Sequence, residues 1–144
     1  MKASLLFRIA AVLIVLFAAG HTLGFRQIDP SWGIQNMLGA MKSVHFRTQG
    51  FSRTYWDFYV GFGLFVTVLL LLAAVIAWQL GVSSAQWPTV RAIAWALTVC
   101  FGLVVILSWR YFFVAPVAFC ALIFLCLLTG TLLEDRALAL TRFH

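Results

Sequence analysis

Leu69-Leu70-Leu71-Leu72-Ala73-Ala74-Val75-Ile76 lies inside a run, 58–90, that carries no charged side chain from end to end. A transmembrane strand alternates apolar and polar residues over about 10 positions; this stretch is apolar at every step and reads as helix. Three more charge-free runs occur at 9–25, 92–109 and 111–133. A bilayer core takes about 20 apolar residues per helix, so each run holds one span. The longest is too long for one helix and too short for two. Its tail, Gly81-Val82-Ser83-Ser84-Ala85-Gln86-Trp87-Pro88, reads as a turn. Four helices are expected, at 4–24, 55–80, 89–109 and 112–133, making 1–144 a single transmembrane domain.

Composition agrees. Of the 144 residues 64% are apolar and 10% charged, against roughly 25% charged in an ordinary soluble domain. A chain this short has no core large enough to bury that much apolar surface. A soluble enzyme, a disordered chain and a nucleic-acid module are excluded, and the expected class is an all-α integral membrane four-helix bundle. Lys2, the apolar run after it and Ala18-Ala19-Gly20 also fit a cleavable secretory signal; the segment is expected to stay as the first span. The net charge of +6 sits mostly beside the spans, where attraction to anionic headgroups accounts for it. Lys2, Arg8, Arg91, Arg136 and Arg142 fall on one side, and Arg26, Lys42, Arg47, Arg53 and Arg110 on the other. That even split gives the positive-inside rule no orientation to assign.

The loop at 25–54 is the one connection with room for structure. Asp29-Pro30-Ser31 is a helix-start signal, and Ile34, Met37, Leu38, Met41 and Val44 then form one apolar stripe. The expectation is an amphipathic helix lying in the membrane interface, or folded over the bundle mouth as a lid.

Polar chemistry gathers at one interface. Gly20-His21-Thr22-Leu23-Gly24 ends the first helix, Arg53-Thr54-Tyr55-Trp56-Asp57 leads into the second, and Ser108-Trp109-Arg110-Tyr111 joins the third to the fourth. Inside the spans the polar atoms are Thr67, Thr98, Cys100, Ser108, Cys120, Cys126 and Thr129. No carboxylate lies near mid-span, which argues against ion pumping. Asp57 sits just inside its helix, where a lone carboxylate is costly unless paired. Arg110, Arg53, Arg26 and His21 are its candidate partners, either as an Asp–Arg pair tying helices together or as a His21–Asp57 proton shuttle. Tyr55, Trp56, Tyr59 and Trp109 are expected to line a pocket wall, with Arg110 and Arg53 fixing a polar headgroup. Gly61 shares the face of Asp57, and Gly20 and Gly24 form a G-x-x-x-G that suits close helix packing. Arg8 is expected to snorkel to the surface.

The three cysteines make no C-x-x-C and the three histidines no H-x-x-x-H. A thiol oxidoreductase and a metalloprotease are therefore unsupported, no metal site is expected, and no cofactor is assigned. The expected partners are membrane lipids, a hydrophobic small-molecule ligand, and either a second copy or another membrane protein, with no nucleic acid.

Gly20-His21-Thr22-Leu23-Gly24, Tyr55-Trp56-Asp57-Phe58-Tyr59-Val60-Gly61-Phe62-Gly63 and Ser108-Trp109-Arg110-Tyr111-Phe112-Phe113-Val114-Ala115-Pro116 together resemble the signatures of a small bacterial four-span integral membrane family of no established activity. The resemblance implies the four-span fold and a bacterial inner-membrane location. The layout is also similar to sterol-binding and sterol-isomerase membrane proteins, which use acidic and histidine residues in an intramembrane cavity, and to DoxX-like proteins. With Asp57 alone in the relevant place, the chain departs from the isomerase pattern. The functional expectation is binding of a lipid-, quinone- or isoprenoid-like molecule at the His21/Asp57/Arg110 face. The alternatives are an accessory subunit of a membrane complex and an oligomeric small-solute carrier.

Overall fold

A computed structural model describes residues 2–83 and 86–141. In chain order it has α1 (Ala3–Gly24), a 3-10 turn (Pro30–Trp32), α2 (Gln35–Ser43), β1 (His45–Thr48), β2 (Phe51–Thr54), α3 (Tyr55–Val82), α4 (Trp87–Tyr111) and α5 (Val114–Thr141). The chain is therefore all-α in class apart from one small hairpin. Four of its helices are long and apolar enough to cross a membrane: Ala3–Gly24, Tyr55–Val82, Trp87–Tyr111 and Val114–Leu140.

Three features differ from those expected. First, α5 starts two residues later than position 112 and runs well beyond 133. Glu134, Asp135 and Arg136 end an apolar run but not a helix, because most charged side chains propagate a helix nearly as well as leucine does. Second, α3 and α4 each extend two residues further toward the connection between them; Ser84 and Ala85 of the expected turn lie outside the described residues, as do Arg142 and His144.

Third, the loop is more than one amphipathic helix. Asp29 Oδ1 accepts the Ser31 N–H at 2.8 Å, but it caps only the 3-10 turn, since Gly33 at φ +66 stops the chain there. The Ser31 hydrogen bonds hold the Asp29 carboxyl below its usual range. The helix proper begins at Gln35, and Val44 leaves it in extended conformation. An antiparallel hairpin follows, pairing His45 with Thr54 and Thr48 with Phe51. Its two connecting residues, Gln49 (φ 49) and Gly50 (φ 85), both have positive φ, the backbone that a tight right-twisted hairpin requires.

By its internal packing the chain divides into two compact units, Met1–Phe17 with Leu70–His144, and Ala18–Leu69. Helices α1 and α3 contribute to both. The core of the first unit is built from Phe7, Ala10, Ala11 and Ile14 of α1, Ala74 and Ala77 of α3, Ala94, Leu97 and Phe101 of α4, and Ile123 and Leu127 of α5. Alanines at these positions let helix backbones approach closely. Gly130 makes room for the Phe7 ring, which lies 3.2 Å from where a Cβ would stand. Thr98 donates its hydroxyl proton to the Ala94 carbonyl at 2.8 Å and so accepts from Thr131 at 3.3 Å, joining α4 to α5.

Two polar contacts complete this unit. Arg8 does not simply reach outward: its Nε–H donates to the Gly81 carbonyl at 3.1 Å, and its guanidinium lies 5.9 Å from the Trp78 ring centre. Asp135 on α5 takes donors from one face of α4, where Trp87, Arg91 and Trp95 recur at every fourth position. The Trp87 indole donates at 2.7 Å and the Trp95 indole at 3.0 Å. Arg91 adds its Nε at 2.8 Å and a terminal nitrogen at 3.1 Å. Both carboxylate oxygens are thereby doubly engaged.

Candidate functional site

The second unit, Ala18–Leu69, contains a groove built on the first turns of α3. The turn itself follows from Thr54-x-x-Asp57. Thr54 Oγ1 accepts the Asp57 N–H at 3.1 Å while Asp57 Oδ2 accepts the Thr54 N–H at 2.8 Å, a reciprocal capping box with aspartate in the third helical position. Thr54 is 5% exposed, so the box is anchored on its buried side and Asp57 is fixed on the outer one. Replacing Thr54 with alanine is expected to cost about 1 kcal/mol, readable as a drop in the thermal midpoint of the purified protein.

One helical turn beyond Asp57 the face is left bare by Gly61, where an added Cβ would meet nothing within 4 Å. Phe58, Phe62 and Phe65 stand beside it, at the spacing of one helix face. Together with Arg53 and Asp57 they line an open groove of about 270 Å³. Phe46 of β1 stacks on Phe58 with ring centres 5.6 Å apart and tilts against Tyr55 at 5.2 Å, which holds the hairpin on the helix. Arg53, the cross-strand partner of Phe46, is thereby carried to the groove's polar end. Its terminal nitrogen donates to the Ser52 carbonyl at 2.8 Å, and its guanidinium lies 5.2 Å from the Phe51 ring centre.

His21 belongs to a separate cluster of the same unit. Its Nε2 lies 3.0 Å from the Gly63 carbonyl. A carbonyl only accepts, so Nε2 carries the proton and donates. The imidazole stacks on Phe25 at 5.1 Å, and the Phe25 ring fills the space that a Cβ on Gly63 would need. Tyr59 donates its hydroxyl proton to the Phe25 carbonyl at 2.5 Å and stacks on Trp56 at 5.4 Å. One turn along, Thr22 and Thr67 meet at 2.8 Å, and Thr22 lies 2.7 Å from the Ala18 carbonyl. Thr67 Oγ1 also lies 3.2 Å from the Gly63 carbonyl, so the two hydroxyl protons are shared among three acceptors that link α1 to α3. His21→Phe keeps the ring stack and removes the donor; the expected loss is about 1 kcal/mol of stability, measured by thermal unfolding beside the parent chain.

Of the expected residues, Arg53 and Asp57 thus share one groove, Tyr55 packs against the hairpin, and Trp56, Tyr59 and His21 form hydrogen bonds or stacks of their own. Asp57 takes its hydrogen bonds from Thr54 and His21 gives its proton to Gly63; the two do not hydrogen-bond to each other. Arg110 and Trp109 belong to the other unit, where the Arg110 guanidinium lies 5.4 Å from the Tyr111 ring centre and Trp109 is 79% exposed. Gly20 and Gly24 face open space, with nothing within 4 Å of an added Cβ. Phe58, Phe62 and Phe65 are the groove residues that sequence reasoning missed, although their spacing around Gly61 was a usable signal. Chemically the groove offers a carboxylate and a guanidinium at one end and aromatic faces at the other. No family model, curated protein or solved structure matches the chain, and the reading of this groove rests on its geometry.

Proposed function

We propose that the chain is a multi-pass integral membrane protein that binds a hydrophobic or amphipathic molecule, lipid-, quinone- or isoprenoid-like, in the groove at the start of α3. The carrying observation is the order of residues along that groove: Arg53 and Asp57 first, then Gly61 among Phe58, Phe62 and Phe65. From Asp57 to Phe65 the helix rises about 12 Å, enough to accompany the first carbons of an apolar tail beneath a polar head. The surrounding surface supports embedding in lipid. Phe65, Leu69 and Leu72 are 67%, 62% and 55% exposed, an unusual loss of apolar burial for a protein in water. Under this reading the polar end of the groove lies at headgroup depth, α2 with its exposed Met37 lies along the interface, and the resemblance of the three motifs adds a bacterial inner membrane.

Gly61→Leu tests it. The new side chain enters open space and improves helix propensity, so the fold is expected to stand while the groove is filled. Native mass spectrometry of gently extracted protein is expected to show a co-purified small molecule on the parent chain, reduced at least several-fold on the variant. A parent chain that carries a stoichiometric protein partner and no small molecule would instead favour the accessory-subunit alternative.

A further inference from the structure

Arg53 and Asp57 line the same groove as a cation and an anion, yet they do not form an ion pair; among the described residues the one salt bridge is Arg91–Asp135. Asp57 is held by the capping box through Oδ2, which leaves Oδ1 as an acceptor on a fixed backbone. Arg53 spends one terminal nitrogen on the Ser52 carbonyl and keeps further N–H donors of its five. A ligand that neutralises both groups must carry one negative and one positive centre.

We propose, resting on the groove reading above, that the ligand is a zwitterionic phospholipid with a primary ammonium, that is, an ethanolamine headgroup. Its phosphate meets the Arg53 guanidinium, a pairing suited to that planar donor set. Its ammonium gives an N–H to Asp57, and its acyl chain runs past Gly61 along Phe58, Phe62 and Phe65. The choice among lipid heads follows from the donors. A choline head has the same charges but no N–H to give. A glycerol head has no cation and brings a phosphate close to the Asp57 carboxylate.

The experiment is competitive lipid retention. The full chain is exchanged into micelles holding equal amounts of phosphatidylethanolamine, phosphatidylcholine and phosphatidylglycerol, and the bound species are read by native mass spectrometry. The parent chain is expected to enrich the ethanolamine lipid roughly fivefold over the choline lipid, the scale of one exposed charge-assisted contact. Asp57→Asn keeps an acceptor oxygen for the capping box and removes the charge; it is expected to bring the two lipids to parity by lowering retention of the ethanolamine lipid. Asp57→Glu restores charge in the same box and is expected to restore the preference. Arg53→Gln is expected to lower retention of all three. Equal binding of the three lipids by the parent, or a preference that survives Asp57→Asn, overturns the headgroup assignment. If Gly61→Leu abolishes total retention in either of those cases, the groove reading still stands. If Gly61→Leu retains lipid like the parent, the groove reading itself falls and the assignment with it.

Discussion

Asp135→Ala is expected to lower stability by about 2–4 kcal/mol, one of the two largest effects expected for a single substitution in this chain. Four donors converge on this carboxylate from one face of α4: two from Arg91 and one each from the indoles of Trp87 and Trp95. Alanine leaves all four without an acceptor. The Arg91 side chain is 52% exposed and recovers much of its loss from solvent or headgroups. The indoles recover less, and Trp87 also lies against Phe7 at 6.3 Å, so its movement reaches the core. Asp135→Asn is expected to be nearly as damaging as alanine. An amide keeps one acceptor oxygen and turns an NH₂ group toward donors that cannot accept it. Thermal unfolding followed by tryptophan fluorescence reads both variants directly, because two of the reporters donate to the carboxylate. A loss under about 0.5 kcal/mol in Asp135→Ala would mean that the cluster is a surface ion pair of the ordinary weak kind.

That cluster also marks where sequence reading stops. Trp87, Arg91 and Trp95 are visibly one helix face, but nothing local says that their acceptor stands on another helix, beyond the whole of the next connection. The identity of the four long helices was legible because run length alone decides it: charge-free segments of about 20 residues have few other structures open to them. Helix ends were less legible. Charge marks the edge of an apolar run, whereas α5 continues through Glu134, Asp135 and Arg136. The hairpin was hidden by a competing period. Ile34 to Val44 fit a helical stripe so well that they draw attention from the residues after them, although Gln49-Gly50 between two Phe- and Arg-containing tetrapeptides is a compact turn signal. At the groove, Asp57 and Gly61 stood out because polar or absent side chains are rare in an apolar helix, and Arg53 because it is a charge just before that helix begins. Phe58, Phe62 and Phe65 did not, since large apolar residues in a span are accounted for by lipid alone. Thr54-x-x-Asp57 has the spacing of a capping box, and that local role differs from the pairing with Arg110, Arg53, Arg26 or His21 expected of Asp57.

Gly81→Ala is the second large effect, and its sign depends on what surrounds the missing methyl. In isolation the change favours a helix by about 1 kcal/mol. At this position an added Cβ would stand 2.8 Å from Arg8 Cγ, 2.9 Å from the Ser4 carbonyl oxygen and 3.2 Å from the Arg8 backbone nitrogen. Arg8 Cγ can yield, because the side chain is long. The carbonyl and the amide cannot move without displacing the first turns of α1 from α3, and the same displacement lengthens the 3.1 Å hydrogen bond from Arg8 Nε to the Gly81 carbonyl. Overpacking of this kind costs about 1–3 kcal/mol, to which the weakened hydrogen bond adds about 1 kcal/mol. The contact outweighs propensity, and a net loss of about 2 kcal/mol is expected. Gly61→Ala on the same helix supplies the control: with open space around its Cβ, it is expected to leave stability unchanged or slightly raised. Thermal midpoints of the two variants, measured in one detergent, separate the contributions. If both alanines stabilise the chain equally, α1 does not approach α3 closely at Gly81, and the contact between their backbones is not what holds that end of the first unit together.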